Sequence, residues 1–392
     1  MSSFPRISKS IITSPTISRR QALGYMGALS IGTLYNQSHA SALGQKKFIF
    51  ILLRGAMDGL SALIPKDGSL RRLRRGLLSP LKESHDLKNG FLLHPAFTHL
   101  KAMYDAGDVT FIHAAATQYR QRSHFDGQDY LEILGPENSQ DGWLNRALLT
   151  SGGQGLAIAR AIPMSLLGPA PVTNWSPSLF NSVSPDLLNR LTELYSADPQ
   201  LAASLKDARS TQLDISASRG DNRKFTQHYP IALEALGRLM KAQGGPNIGM
   251  VGLEGWDTHA NQANALDRKF TILDEGLNTL KQELGGHWKN TAIVVCSEFG
   301  RTVSVNGTRG TDHGTGGLMM LLGGAIKGGN IKGEWPGIET KNLYKGRDLA
   351  PANDVTAVLK GVLRDHMGLD RQRLDTLIFP QSSRAFDDLI QS

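Results

Sequence analysis

The sequence predicts a single α/β domain built on a mostly parallel sheet with helices on both faces. Three observations lead to this expectation: short apolar runs recur along the chain, helical patterns separate them, and no linker or repeat interrupts the alternation. The 392 residues are 40% hydrophobic and 20% charged, which suffices for a sizeable core and excludes a mainly disordered chain. The domain is expected to span residues 43–392.

The apolar runs are too short for helices, so each predicts a buried strand. The clearest is KFIFILL, which stops at Arg54-Gly55. The predicted strands cover 47–53, 109–114, 162–167, 248–253, 291–296 and 318–322. Runs that are apolar throughout belong in a sheet that is covered on both faces.

Apolar residues at three- and four-residue spacing predict helices between these strands. The predicted helices cover 95–105, 198–208, 230–242, 263–284 and 354–367, with a shorter one from Asp126 to Leu134. The polar stretch 212–224 is the expected surface loop. Strands that alternate with helices in this way predict a parallel arrangement.

The first 42 residues are predicted to be a twin-arginine signal peptide that is cleaved after Ala42. Arg19 and Arg20 precede a weakly apolar stretch, Ala22–Tyr35, and the small residues Ala40-Ser41-Ala42 follow. The alternative is a mobile tail in which two arginines are adjacent by chance. A signal of this kind makes the twin-arginine export machinery a partner and places the folded protein in the periplasm or otherwise outside the cytoplasm.

Composition excludes several classes of protein. Four of the 43 basic residues and none of the 35 acidic residues lie in the predicted signal, so the formal charge of +8 falls to near +4 without it. The densest basic run, 71–75, lacks interleaved aromatic residues and predicts a solvated surface, with no nucleic-acid partner. No run reaches the roughly 20 apolar residues of a membrane span, so no stable membrane insertion is expected. The single cysteine excludes an internal disulfide and a cysteine-based zinc site.

Loops rich in acidic residues or histidine are expected to meet at one edge of the sheet. In open α/β sheets, sites lie outside the carboxyl ends of the strands. The relevant segments are RGAMDG at 54–59, EGWDTH at 254–259, SEFGR at 297–301 and GTDHGTG at 310–316. The first three follow predicted strands directly, and the last comes shortly afterwards.

These loops predict a site for a divalent metal. Carboxylate oxygens and neutral imidazole nitrogens bind zinc, manganese and similar ions, and converging carboxylates repel each other unless a cation lies among them. An Asp-x-His pair such as Asp257 and His259 can also be a capping or surface pair. The predicted ligands are Asp58, Asp257, His259, Glu298, Asp312 and His313, with His124 as a further candidate. The ion is expected to be zinc, manganese, calcium or magnesium.

Ser123 is the candidate nucleophile, and Arg122 and Arg301 are the candidate clamps for an anionic group. A hydroxyl at the start of a predicted helix, beside arginines, suits attack on an anionic tetrahedral centre. A guanidinium presents a planar fork to two oxygens. The alternative is that Ser123 caps the helix and the arginines pair with Asp126 or Asp129.

The segments FIFILLRGAMDGL, YRQRSHFDGQDYLE, DGWLNRAL, GWDTHANQ, SEFGRT and GTRGTDHGTGG occur in this order. Together they resemble the domain-of-unknown-function 1501 family, a sulfatase-like branch of the alkaline phosphatase superfamily. The resemblance spans most of the chain after the predicted signal. It implies an alkaline-phosphatase-like three-layer α/β/α sandwich, with one or two divalent ions beside a Ser, Thr or modified Cys that attacks a phosphate or sulfate ester.

The chain departs from the superfamily pattern, so a catalytic and a non-catalytic function are both expected as alternatives. Glu298-Phe299 stands where an Asp-His pair is common, and the formylglycine signature Cys/Ser-x-Pro-x-Arg is missing around Cys296, which is expected to be a small buried residue. The first function is an exported metal-dependent hydrolase of phosphate or sulfate esters, with a small-molecule or glycan ester as substrate. The second is a non-catalytic metal-containing protein of the same fold that binds an anionic glycan, lipid or protein.

Overall fold

The computed structural model describes residues 46–176 apart from 79, 81, 88, 89 and 137, then 185–195, 198 and 202, and 229–391 apart from 381 and 383. The predicted signal peptide, the predicted loop 212–224 and nearly all of the predicted helix 198–208 lie outside these residues. The described residues belong to one compact unit, Leu43–Ser392. None of the described helices is long and apolar enough to cross a membrane.

The described strands form a nine-stranded sheet and a small three-stranded sheet. Their bounds are β1 (Lys47–Leu53), β2 (Leu63–Pro65), β3 (His85–Asp86), β4 (Phe91–Leu93), β5 (Val109–Ala116), β6 (Gly155–Ile158), β7 (Val172–Trp175), β8 (Ile248–Leu253), β9 (Thr291–Cys296), β10 (Gly317–Leu322), β11 (Asn330–Lys332) and β12 (Asn353–Asp354). The large sheet has the order β11-β5-β10-β9-β1-β8-β6-β7, and β12 pairs with β5. Its pairs are parallel except those of β10, which runs antiparallel to β5 and β9.

Helices cover both faces of the large sheet. Their bounds are α1 (Gly59–Ala62), α2 (Gly68–Leu73), α3 (Thr98–Asp105), α4 (His124–Ile133), α5 (Trp143–Ser151), α6 (Pro185–Tyr195), α7 (Tyr229–Lys241), α8 (Gln262–Leu284), α9 (Val355–Asp365) and α10 (Arg371–Arg373). Alternate residues of β1 enter opposite cores: Ile49 and Ile51 join the core that contains α7 and α8, and Phe48 and Phe50 join the core that contains α5 and α9. The predicted α/β/α sandwich with a mostly parallel sheet is therefore confirmed.

Most predicted elements form within a few residues of their expected bounds, but the strand predicted at 162–167 is wrong. Met164–Leu166 is instead a 3₁₀ turn. Pro163, with a φ of −64°, has no N–H to donate to a sheet. The strands β6 and β7 are not predicted from the sequence because each has only four residues. The residues of β7 are also exposed or half-buried, so they do not form an apolar run.

One edge of the large sheet collects the loops that carry the candidate site residues. The strands β1, β5, β8 and β9 point in the same direction, so their carboxyl ends lie at a common edge. The loop before β10 reaches that edge as well because β10 is antiparallel. The segments 54–58, 117–123, 254–261, 297–301 and 310–316 therefore gather there.

Candidate metal centre

Four side chains, from two of these segments and from the first residue of α4, lie close together. The Nε2 atom of His313 lies 2.9 Å from Nε2 of His124 and 3.0 Å from Nε2 of His259. The Oδ1 atom of Asp257 lies 3.2 Å from Nε2 of His124 and of His313. It also lies 2.9 Å from Nε2 of His259. The ligand atoms of His124, Asp257 and His313 all lie within 4.8 Å of one another, as the ligands of one metal ion must, and Nε2 of His259 contacts two of the three.

The other ring nitrogen, Nδ1, of each histidine faces an oxygen that can only accept a hydrogen bond. These pairs are His124 with Glu298 Oε1 at 2.6 Å, His313 with the Arg122 carbonyl at 2.8 Å, and His259 with Asp312 Oδ1 at 3.4 Å. Each Nδ1 therefore carries the ring hydrogen, and each Nε2 directs a lone pair at its neighbours. Three lone pairs and a carboxylate oxygen repel at these distances unless a cation lies among them, so the residues fit a divalent ion such as zinc.

Arg301 fixes the carboxylate of Asp257 and keeps it ionised. Its NH2 donates to Oδ1 of Asp257 at 2.6 Å. Burial alone would raise the pKa of Asp257, but Arg301 and the histidines hold that pKa at about 2. Further guanidinium hydrogen bonds go to the carbonyl oxygens of Gly55, Ala56, Trp256 and Thr311. Because the Arg301 side chain is 0% exposed, it ties the loops together, and the geometry does not offer it to a substrate as the predicted anion clamp.

Glu298 lies behind His124 and not beside the converging ligand atoms, which corrects its predicted role as a ligand. Its Oε1 accepts from Nδ1 of His124, from Nε2 of Gln128 at 3.0 Å and from the backbone N–H of Gly55 at 2.9 Å. Burial alone would raise the pKa of Glu298, yet the hydrogen bonds from His124 and Gln128 hold that pKa below its usual value. An ionised carboxylate in this position orients the His124 ring and makes its Nε2 a better ligand.

Asp312 has the same relation to His259. Its Oδ1 faces Nδ1 of His259 and accepts from Asn306 at 3.0 Å. The hydrogen bond from Asn306 is the main reason that the pKa of Asp312 is lowered. The structure therefore places Asp312 as an orienting partner, although the sequence predicts it as a ligand.

Asp58 lies in a buried ion pair and not among the converging ligand atoms. Its side chain is 1% exposed, and Oδ2 accepts from Arg74 at 2.6 Å, from Ser61 at 2.8 Å and from Gln262 at 2.5 Å. Gln262 in turn accepts from the hydroxyl of Thr311 at 2.8 Å. The sequence-based assignment of Asp58 as a ligand is corrected accordingly: its charge neutralises Arg74.

Ser123 and Arg122 precede α4 directly. Ser123 is the N-cap of the helix, and its hydroxyl accepts from the backbone N–H of Asp126 at 3.4 Å, as the capping alternative predicts. Arg122 has a left-handed φ of 64° while its carbonyl accepts from His313. Its guanidinium donates to the buried Asp348 at 2.6 and 3.1 Å.

Phe299 forms an apolar wall on the side of the centre away from solvent. The ring is 4% exposed, stacks on His124 with centroids 5.0 Å apart, and lies 5.4 Å from the His313 ring. A phenyl ring supplies no ligand for a second ion here. Nearby Cys296 is buried as expected, and burial raises the pKa of its thiol.

Several residues that support the centre have no motif in the sequence. Gln128 lies four residues after His124, so the shared face of α4 is a usable sign that both point the same way. Asp348 and Arg347 belong to a loop that is distant in sequence from every recognisable segment. Only the three-dimensional structure brings that loop against His313.

A Gly310→Ala substitution tests whether the close approach of two loops sets the centre. A Cβ at Gly310 would lie 2.2 Å from the carbonyl oxygen of His259, so the loops must separate. Misplaced ligands should weaken zinc affinity by about tenfold or more, as measured by chelator competition. Gly307→Ala is the matched control because nothing lies within 4 Å of its Cβ. Equal zinc affinity in both variants would contradict this role for the contact.

The fold and the site define an α/β/α protein with a candidate metal centre of His124, Asp257 and His313, adjoined by His259, at the carboxyl edge of its sheet. The family model described as "Protein of unknown function (DUF1501)" matches residues 119–378, which is more than half of the chain. The protein belongs to the DUF1501 family. A comparison with curated proteins found no match.

Solved structures with a similar course of the chain include periplasmic and hydrolytic proteins. The C-terminal periplasmic domain of EcEptC from Escherichia coli matches with a TM-score of 0.40 and 8% identity, over 88% of this chain and 92% of that one. The same domain in complex with Zn matches with a TM-score of 0.37 and 8% identity, over 71% and 72%. Alkaline phosphatase from the Antarctic bacterium TAB5 matches with a TM-score of 0.33 and 12% identity, over 70% and 90%. Likenesses at this level transfer neither an activity nor a metal to this chain.

Proposed function

We propose that the protein is a metal-dependent hydrolase of phosphate or sulfate esters. The observation that carries the proposal is that the Nε2 atoms of three histidines lie close to the ionised Asp257 carboxylate. These atoms lie directly beside the first turn of α4. A centre of this kind suits chemistry on an oxyanion, since both a cation and a helix N-terminus attract negative charge.

The proposed reaction needs residues that hold the ion, groups that favour the negative charge of the ester, and a nucleophile. His124, Asp257, His259 and His313 would hold the ion, which supplies a Lewis acid that polarises the ester. The backbone N–H groups at the start of α4 favour the negative charge of the ester group. Ser123 is the proposed nucleophile: among the described residues the one hydrogen bond of its hydroxyl is the long one that it accepts from Asp126, so the hydroxyl hydrogen is available for transfer.

We propose one ion rather than two. The described residues contain one group that could hold a metal, and the buried Phe299 ring closes its inner side. Export by the twin-arginine route, after the ion has been bound, is part of the proposal and rests on Arg19 and Arg20. The substrate would be a small-molecule or glycan ester.

Turnover of aryl phosphates and aryl sulfates by the metal-loaded protein tests the proposal. We expect about one ion per chain by elemental analysis, and turnover that disappears on chelation and returns with metal. Ser123→Ala should lower kcat by about a hundredfold or more because it removes the attacking oxygen. Ser304→Ala, an exposed serine near the same edge, is the matched control.

The outcomes separate the two candidate functions. A folded protein without bound metal would refute the hydrolase and the non-catalytic metal protein alike. One ion per chain without turnover on either ester class would refute the hydrolase and leave the anion-binding protein. Unchanged kcat in Ser123→Ala would refute the nucleophile alone.

A further inference from the structure

A buried carboxylate holds two arginines beside the candidate metal centre. Asp348 is 0% exposed. Its Oδ2 accepts from Nε of Arg122 at 3.1 Å and from NH2 at 2.6 Å, while its Oδ1 accepts from Nε of Arg347 at 2.8 Å. One negative charge shared by two guanidinium groups leaves this trio with a net positive charge of one.

Both arginines also contact His313. The backbone carbonyl of Arg122 accepts from Nδ1 of His313 at 2.8 Å. NH2 of Arg347 donates to the carbonyl oxygen of His313 at 2.6 Å. The excess positive charge of the trio therefore lies against a residue whose Nε2 atom is part of the candidate centre.

The two guanidinium groups still have donors to offer. NH1 of Arg122 and NH1 of Arg347 have no hydrogen-bond partner among the described residues. The side chain of Arg122 is 24% exposed and that of Arg347 is 45% exposed. Arg301 differs on both counts, because it is wholly buried and donates to five oxygens.

We infer that Arg347, held with Arg122 by Asp348, binds the charged oxygens of the ester group, an inference that rests on the proposed function. The ligand class is a tetrahedral oxyanion, phosphoryl or sulfuryl, because planar guanidinium forks match pairs of oxygens on such a group. Asp348 is the positioning residue. Its two oxygens fix the plane of each fork before the ligand arrives, which reduces the ordering cost of binding.

Calorimetric titration of inorganic phosphate, and separately of sulfate, into the metal-loaded protein tests the inference. Arg347→Gln should raise the dissociation constant for the preferred anion by about tenfold or more because a charge-assisted hydrogen bond is lost. Lys345→Gln, which removes the same charge two residues away, is the matched control and should change it less than about twofold. The anion with the lower dissociation constant identifies the ester class, phosphate or sulfate.

Three results would overturn the inference. The first is phosphate and sulfate binding by Arg347→Gln that equals the unmodified protein, with the ion still bound. The second is equal weakening by both substitutions, which would show a diffuse charge effect. The third is loss of the ion in Arg347→Gln, since Arg347 would then only support His313. If the unmodified protein holds no ion, the proposed function fails, and the comparison of the two variants in the metal-free protein still decides the role of Arg347.

Discussion

His313→Ala is expected to lower zinc affinity by more than about a hundredfold. Loss of a residue that only hydrogen-bonds to a metal ligand costs up to about a hundredfold, and loss of the ligand itself should cost more. The Nε2 atom of His313 lies within 3.2 Å of the ligand atoms of His124, Asp257 and His259, so its loss breaks most of the contacts of the cluster. The vacated space beside Asp257 would fill with water. Chelator competition and elemental analysis measure the effect.

His99→Ala is the control, because His99 is exposed on α3 and belongs to none of the segments that gather at the carboxyl edge. It should retain one ion per chain. Zinc affinity in His313→Ala that equals the control would disprove the centre.

Glu298→Gln separates ligands from orienting partners. It keeps the hydrogen-bonding shape but removes the charge behind His124, so zinc affinity should fall by about tenfold to a hundredfold.

The sequence predicts the sheet well because its central strands are long and apolar. The strands β1, β8 and β9 have the predicted bounds, since a run such as KFIFILL can be satisfied only by burial on both faces. The prediction fails at 162–167, where hydrophobicity alone cannot show that Pro163 prevents a ladder. It also misses β7, whose pairing with β6 depends on neighbours and not on its own composition.

The sequence predicts the elements of the site better than their roles. Asp257, His259 and His313 are recognisable because acidic residues and histidines follow strands that share an edge. Glu298 and Asp312 are of the same residue types, and spacing does not reveal that their oxygens face Nδ1 atoms. Asp58 is misassigned because its partner Arg74 lies in a basic run that looks like solvated surface, although Arg74 is 0% exposed.

Arg74→Met is expected to destabilise the fold by about 3–5 kcal/mol, the cost of removing one partner from a buried ion pair. Arg74 donates to Asp58 and to the carbonyl oxygens of Val303 and Thr302, all in the interior. Methionine fills much of the space but leaves the Asp58 carboxylate buried beside the neutral Ser61 and Gln262. Urea denaturation of both proteins measures the difference in the free energy of unfolding.

A double-mutant cycle with Asp58→Asn shows whether charge pairing is the cause. The double variant should be more stable than the sum of the single losses predicts, by about 1–3 kcal/mol, because neither charge is then left alone. Lys101→Met, which breaks an exposed i,i+4 pair with Asp105, should cost less than about 1 kcal/mol. Asp58→Asn should keep one ion per chain, since Asp58 contacts Arg74 and not the converging ligand atoms. Loss of the ion in a folded Asp58→Asn variant would show that Asp58 is a metal ligand after all. Additive losses of stability in the cycle would show that packing outweighs charge at this position.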